Sequence, residues 1–276
     1  MVAKTYIENL FKYFSITETT KTLIPFNSDG QYAIEYFRKF IDLGYTFEQI
    51  IKVASNTTIM DNDMYNLLSL RYEITNLIKT SFTNEDYSTI TKIIIKNTKQ
   101  KDFFSNQNLL GKYKLILGAI DNRKYSQIKW DEKSLLKDTD VYFGMPRIGL
   151  FILDKAMDFL KNNGICALQF PNEYAFKPYA KKFRTKYVNN IIYININNSN
   201  ETELFFIKTN KWLKNMVING ETFSFKKEIE YLTFVTDKIG SNDWLLVKNN
   251  TYYKSDYFPI KRKSKEANKL PYFLEF

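Results

Sequence analysis

The sequence contains no histidine and only one cysteine, Cys166. Without histidine the chain has no His-based triad, no imidazole general base and no His-ligated zinc. A single cysteine makes neither an intrachain disulfide nor a cysteine-cluster metal site, so no metal is expected. Glycine and proline are scarce, while Asn, Lys, Ile, Tyr and Phe are abundant. That usage matches an AT-rich genome and says little about function. No apolar run approaches the roughly 20 residues of a membrane span, so no membrane partner is expected. Met1 to Tyr6 lacks the apolar core of a signal peptide, and a cytoplasmic location is the expectation.

What is present is enough for a large core: 44% of the 276 residues are hydrophobic. A chain of this length suits one large α/β fold with appendages. The net charge is +10, from 40 Lys and Arg against 30 Asp and Glu. Such a balance favours polyanions, nucleic acid before acidic membrane. Lysine enrichment from an AT-rich genome gives the same charge without any partner.

Apolar residues at Tyr6, Ile7, Leu10, Phe11 and Phe14 have helical spacing. Thr22 to Phe26 reads as a short strand that breaks into the turn cluster Asn27-Ser28-Asp29-Gly30. A helix from Tyr32 to Ile41 follows and stops near Gly44. Strand, tight turn and helix together aim backbone N–H groups at a ligand. Thr57 to Met60 predicts a second strand, ended by Asp61-Asn62-Asp63. Either acid there can take ribose hydroxyls or cap the next helix. The β-branched run Ile93-Ile94-Ile95 predicts a third strand, before Asp102-Phe103. Lys114 to Gly118 predicts a fourth, ending in Ala119-Ile120-Asp121-Asn122. Residues 126–146 look irregular and charged. A strongly apolar helix then runs from Ile148 to Leu160, and Ile165 to Phe170 predicts a buried strand stopped by Pro171-Asn172. Residues 177–187 form a basic helix with Tyr179, Phe183 and Tyr187 on its inner side and lysines outward. Strands are expected over 188–196 and 202–208. From Asn210 onward short strand-like runs alternate with polar loops (222–225, 232–235, 244–247). That stretch is rich in Tyr and Phe and carries Lys261-Arg262-Lys263-Ser264-Lys265.

Alternating strands and helices from 22 to 196 predict a doubly wound sheet. The order of the pieces resembles the S-adenosylmethionine-dependent methyltransferases, specifically the DNA adenine-N6 branch. Leu23 to Gly30 resembles that family's first cofactor loop, Leu-Asp-Pro-Phe-x-Gly-x-Gly. Met60 to Asp63 resembles its acidic ribose-holding turn. Lys101-Asp102-Phe103 resembles the Asp-Phe pair at the cofactor adenine. Gly149 to Tyr174 resembles the family's helix, Gly-turn and strand ending in Pro-Asn. The likeness spans residues 20–208, and its motifs carry weight by order and spacing rather than singly. It implies a seven-stranded, mostly parallel α/β sheet over 1–209, with a small β-rich appendage at 210–276. It also implies an S-adenosylmethionine pocket walled by Pro25, Asn27, Gly30, Asp61, Asp102 and Phe103, and a DNA substrate.

The departures fall on the chemistry. The family's catalytic tetrapeptide is Asn/Asp/Ser-Pro-Pro followed by an aromatic, which holds the adenine amine and stacks on the flipped base. Ala119-Ile120-Asp121-Asn122 has no acceptor in first place, no proline pair and no aromatic; Tyr125 lies three residues beyond. Asp29 adds a negative charge where the cofactor carboxylate belongs. One expectation is therefore a degenerate methyltransferase, binding nucleic acid or a partner subunit. A second is an active enzyme in which Asp121 or Asn122 accepts the amine hydrogens. A third is a structural α/β protein without a nucleotide site. For nucleic acid the expected contacts are Tyr125 by stacking and Lys261, Arg262, Lys263 and Lys265 on phosphate.

Overall fold

A computed structural model provides the three-dimensional structure. It describes residues 2–25, 30–83, 85–101, 103–104, 107–120, 123–137, 139–196, 201–240 and 243–246. Among these, nine strands make one sheet: β1 (Thr22–Pro25), β2 (Thr57–Asp61), β3 (Thr98–Gln100), β4 (Tyr113–Ala119), β5 (Leu160–Pro171), β6 (Ile191–Ile196), β7 (Glu201–Ile207), β8 (Asn215–Ile218) and β9 (Glu221–Ser224). Their spatial order is β3-β2-β1-β4-β5-β7-β6-β8-β9. From β3 across to β5 every pairing is parallel. β7 inserts antiparallel between β5 and β6. β8 runs parallel to β6 and β9 returns antiparallel. The expected seven-stranded, mostly parallel sheet is thus corrected to nine strands of mixed direction. The two extra strands lie beyond residue 209 and hydrogen-bond into the same sheet through β6.

Helices cover both faces: α1 (Val2–Tyr13), α2 (Gln31–Asp42), α3 (Phe47–Asn56), α4 (Met64–Ser81), α5 (Ser88–Asn97), α6 (Trp130–Lys137), α7 (Ile148–Phe159), α8 (Lys181–Tyr187) and α9 (Glu228–Phe234). Side chains alternate along a strand, so β4 sends Leu115 and Leu117 into one core and Ile116 into the other. The first core lies under α1 to α5. The second is built on α7, which is buried along nearly its whole length. Its one buried carboxylate, Asp154, accepts from Lys186 Nζ at 2.8 Å and Tyr187 Oη at 2.5 Å.

Several elements differ from the sequence expectation: residues 126–146, expected to be irregular, hold α6, and Leu245 and Leu246, in a run expected to be strand-like, are helical. Ile93-Ile94-Ile95 belongs to α5, not to a strand; the third strand starts three residues later, at Thr98. Ile90 and Ile94, four apart, face the core while Ile95 faces solvent, a helical pattern that the β-branched triplet conceals. The true strand is a short polar edge, held by the Arg71 guanidinium on the Thr98 carbonyl (2.7 Å) and hydroxyl (3.0 Å). Helix α3 is absent from the sequence expectation; Thr46 and Gln49 signal it as a capping box in which each side chain bonds the other's backbone N–H. Residues 232–235, read as strand-like, lie in α9 and the turn after it. In the basic helix the lysines at 181, 182 and 186 do face outward, but Arg184 is buried. Its guanidinium donates to the carbonyls of Tyr174 and Lys177, both at 2.8 Å.

Candidate functional site

The order of strands reverses between β1 and β4: the chain builds outward to β3, then returns to lay β4 on the other side of β1. Ligands of open α/β sheets sit beyond the carboxyl ends of the strands at such a switch point. β1 ends there with Pro25. Gly30 then opens α2 at φ +73°, a left-handed conformation that side-chain-bearing residues adopt at a cost of about 1–2 kcal/mol. Its carbonyl accepts from the Ile34 N–H at 3.0 Å. The first turn of α2 carries no acidic residue, which leaves the positive dipole end of the helix free of a negative side chain within that turn.

Asp61 closes β2 at the same edge. One of its carboxylate oxygens accepts from the Asp63 N–H at 2.7 Å, and its carbonyl accepts from the Lys101 N–H at 3.2 Å. Asp63 caps α4, accepting from the Tyr65 N–H at 2.8 Å. The structure therefore divides the two acids, giving the cap to Asp63 and the sheet edge to Asp61. Phe103 is buried edge-to-face against Phe159, with ring centroids 5.0 Å apart. It anchors the β3–β4 connection on α7.

β4 presses close to β1 just before its end. Gly118 has φ +146°, and a Cβ placed on it would stand 3.2 Å from the Pro25 carbonyl oxygen. Ala119 pairs with Gln169 of β5, and the Ile120 N–H donates to the Gln169 carbonyl at 3.3 Å. On the α2 face, the Tyr32 hydroxyl donates to the Gln169 side-chain carbonyl, and Tyr6 packs edge-on against Tyr32 at 5.5 Å. Of the expected cofactor residues, Pro25, Gly30 and Asp61 meet at this edge, with Phe103 two residues past the Lys101–Asp61 bond. Asn27, Asp102, Asp121, Asn122, Lys261, Arg262, Lys263 and Lys265 lie outside the described residues.

Beyond β4 the chain makes an excursion that starts and finishes at one point, where the Ile148 N–H donates to the Arg123 carbonyl at 3.1 Å. Ile128, Leu136 and Val141 pin it to the core. Tyr125 is half-buried, its ring 6.2 Å from that of Tyr142 and its hydroxyl 3.4 Å from the Tyr142 hydroxyl. That hydrogen bond, with some desolvation, raises the Tyr142 phenol above its ordinary pKa. The Lys133 ammonium sits 5.0 Å above the Tyr125 ring. Sequence reading passed over Trp130 in this stretch; an isolated tryptophan opening an otherwise polar helix was the available signal. Where the excursion rejoins the sheet, Arg147 pairs with Glu173 at 2.8 Å, next to the carboxyl end of β5. Among the described residues no group of three or more His, Cys, Asp or Glu is placed to hold a metal, and no helix is long and apolar enough to cross a membrane.

No protein-family model and no curated protein matches the sequence. Solved structures do match in three dimensions. The Type ISP restriction-modification enzyme LlaBIII, solved bound to DNA, superposes with a TM-score of 0.63 at 11% identity over 88% of this chain and 21% of its own. The type IIG restriction endonuclease BpuSI gives 0.60 at 12% identity over 93% and 33%. A putative class I S-adenosylmethionine-dependent methyltransferase from Listeria monocytogenes gives 0.50 at 10% identity over 86% and 68%. The chain spans about a fifth to a third of the length of the two restriction enzymes. At such identities the likeness is one of fold: a mixed α/β sheet similar to those of class I methyltransferases.

Proposed function

We propose that this chain is a degenerate relative of the DNA adenine-N6 methyltransferases, a module of the restriction-modification kind that engages DNA and transfers methyl groups weakly or not at all. The observation that carries the reading is the end of β4. The fold is similar to that of class I methyltransferases, yet the position where the DNA adenine-N6 branch carries an acceptor side chain and two prolines holds Ala119 and Ile120. The Ile120 N–H is taken up by the Gln169 carbonyl of β5, and neither side chain can accept an amine hydrogen.

The cofactor edge is better preserved. Gly30 in its left-handed conformation, an acid-free first turn of α2 and Asp61 at the end of β2 fit S-adenosylmethionine. On this reading Pro25, Asn27 and Gly30 would border its methionine end, Asp61 its ribose, and Asp102 with Phe103 its adenine. When bound, the cofactor supplies an electrophilic methyl group. The chain's own contribution is to orient it by backbone N–H groups and a carboxylate. On this reading residues 1–209 would be the methyltransferase-like unit, with its sheet continued by β8 and β9, and Lys261, Arg262, Lys263 and Lys265 of the remaining segment would meet nucleic acid. A partner subunit supplying what this chain lacks is consistent with the longer restriction enzymes it resembles.

Fluorescence anisotropy of a labelled DNA duplex, measured across a salt series, tests DNA engagement. Lysine–phosphate contacts release counterions, so affinity is expected to fall linearly with log salt and to vary little with sequence. Absence of binding at low salt would refute the DNA role. Calorimetry with S-adenosylmethionine tests the cofactor edge separately.

A further inference from the structure

We propose that the excursion after β4 presents a base-stacking platform, with Trp130 at its centre, for unstacked nucleotides of single-stranded DNA. The proposal rests on the DNA-engaging reading above and deepens it by naming the surface and the form of nucleic acid.

Three observations carry it. The first is exposure on a segment whose neighbouring residues are buried in the core. Trp130 is 80% exposed and Met145 81%, while Ile128, Leu136 and Val141 of the same excursion are at most 3% exposed. A large indole held open on an anchored segment has no role in the core. The second is the arrangement of cations. Lys137 Nζ lies 5.8 Å from the Trp130 ring centroid, as Lys133 Nζ lies 5.0 Å from that of Tyr125. An aromatic face beside an ammonium group matches one nucleotide, the base stacking and the phosphate pairing. Residues 123–147 hold six Lys or Arg against four Asp or Glu, so the charge favours a polyanion over an acidic-rimmed copy of itself or a basic partner. The third is place: the platform departs from the carboxyl end of β4 and returns beside Glu173 at the end of β5. Duplex DNA keeps its base faces covered by stacking, whereas a single strand offers them.

The test uses the full chain and two probes, a fluorescein-labelled single-stranded oligothymidine and a duplex of equal length. Anisotropy gives affinity and intrinsic emission reports the indole. Of the three tryptophans, Trp244 is buried and Trp212 half-buried, so quenching by a stacked base reads chiefly on Trp130. Single strand is expected to bind and to quench. Trp130→Ala should abolish the quench and weaken single-strand binding roughly tenfold, as the loss of one base–aromatic stack implies. Trp130→Phe should restore most of the affinity. The double variant Lys133→Ala, Lys137→Ala should flatten the salt slope by about 0.7 per lost phosphate contact. An exposed indole is dispensable for folding, and circular dichroism of each variant checks that. If Trp130→Ala binds single strand as tightly as the parent, the platform is refuted while the DNA-engaging reading stands. If duplex binds and single strand does not, the platform is refuted likewise. If neither binds at low salt, both fall, and cofactor calorimetry alone reports on the methyltransferase-like edge.

Discussion

Replacing Gly118 by alanine should destabilise the chain sharply and loosen the candidate cofactor edge with it. Gly118 has φ +146°, a region nearly closed to L-residues, and holding one there costs on the order of 1–3 kcal/mol. The added methyl would stand 3.2 Å from the Pro25 carbonyl oxygen and 3.9 Å from Ile24 Cγ2 and Leu168 Cδ2. The nearest of these is backbone in the middle of the sheet, paired through β1 to both β2 and β4. It yields only by spreading those strands, and overpacking of this sort costs roughly 1–3 kcal/mol. A total of about 2–6 kcal/mol is a large part of the ~5–15 kcal/mol of a typical fold. For a chain this size it corresponds to a fall of about 4–24 °C in Tm. Gly111→Ala is the matched control: it shares a positive φ of +62° but has nothing within 4 Å of the new Cβ, so it should cost only about 1–2 kcal/mol. Urea unfolding followed by circular dichroism compares the two midpoints. Should Gly118→Ala shift the midpoint no further than Gly111→Ala, the close approach of β4 to β1 is not a feature of the folded chain.

Glu203, 1% exposed, accepts from Asn9 Nδ2 (3.0 Å), Asn195 Nδ2 (3.0 Å) and the Tyr193 hydroxyl (3.2 Å). Glu203→Ala strands three donors and is expected to cost about 3–5 kcal/mol, Glu203→Gln clearly less, read as urea midpoints; equal losses would mean the carboxylate's acceptor role is unimportant. Burial, and then the neighbouring Asp154 carboxylate, raise the Asp158 carboxyl above its ordinary pKa. The folded chain then holds that proton more tightly than the unfolded one, so stability is lost as pH rises from the ordinary carboxyl value through the folded one. Asp158→Asn should therefore raise Tm at neutral pH, by an amount that fades below about pH 4; a pH-independent difference would contradict the assignment. Charge reversal at Lys261, Arg262 and Lys263 should weaken DNA binding alike for all sequences, and unchanged anisotropy would move the phosphate contacts elsewhere.

Much of the sheet was legible because its central strands are short apolar runs closed by turn residues: Thr22 to Pro25, Thr57 to Asp61 and Ile165 to Phe170 all proved to be strands. Edge elements were less so. β3 is Thr-Lys-Gln, with only Thr98 buried, and its hydrogen bonds come from β2 and Arg71 rather than from any pattern of its own. Beside it, Ile93 to Ile95 offered a stronger β signal while belonging to a helix whose inner face is set by tertiary contact. At the site, Pro25, Gly30 and Asp61 could be found because turn chemistry and strand ends locate them. The division between Asp61 at the edge and Asp63 as a helix cap could not, since both roles suit the same residue type. Trp130 was passed over because exposure is a property of packing, and a tryptophan reads by default as core.

On the proposed reading the chain keeps a methyltransferase-like fold without the side-chain acceptor that adenine methylation needs. Incubating the purified chain with S-adenosylmethionine carrying a labelled methyl group and unmethylated DNA, beside an Asp121→Ala variant, tests it most directly. Ala119 and Ile120 offer no side-chain acceptor, and a misplacement of about 1 Å in a reacting group costs on the order of a hundredfold in rate. The account predicts no incorporation, or trace incorporation equal in both proteins. Robust labelling of adenine that Asp121→Ala abolishes would contradict it and make Asp121 the group that accepts the amine hydrogen.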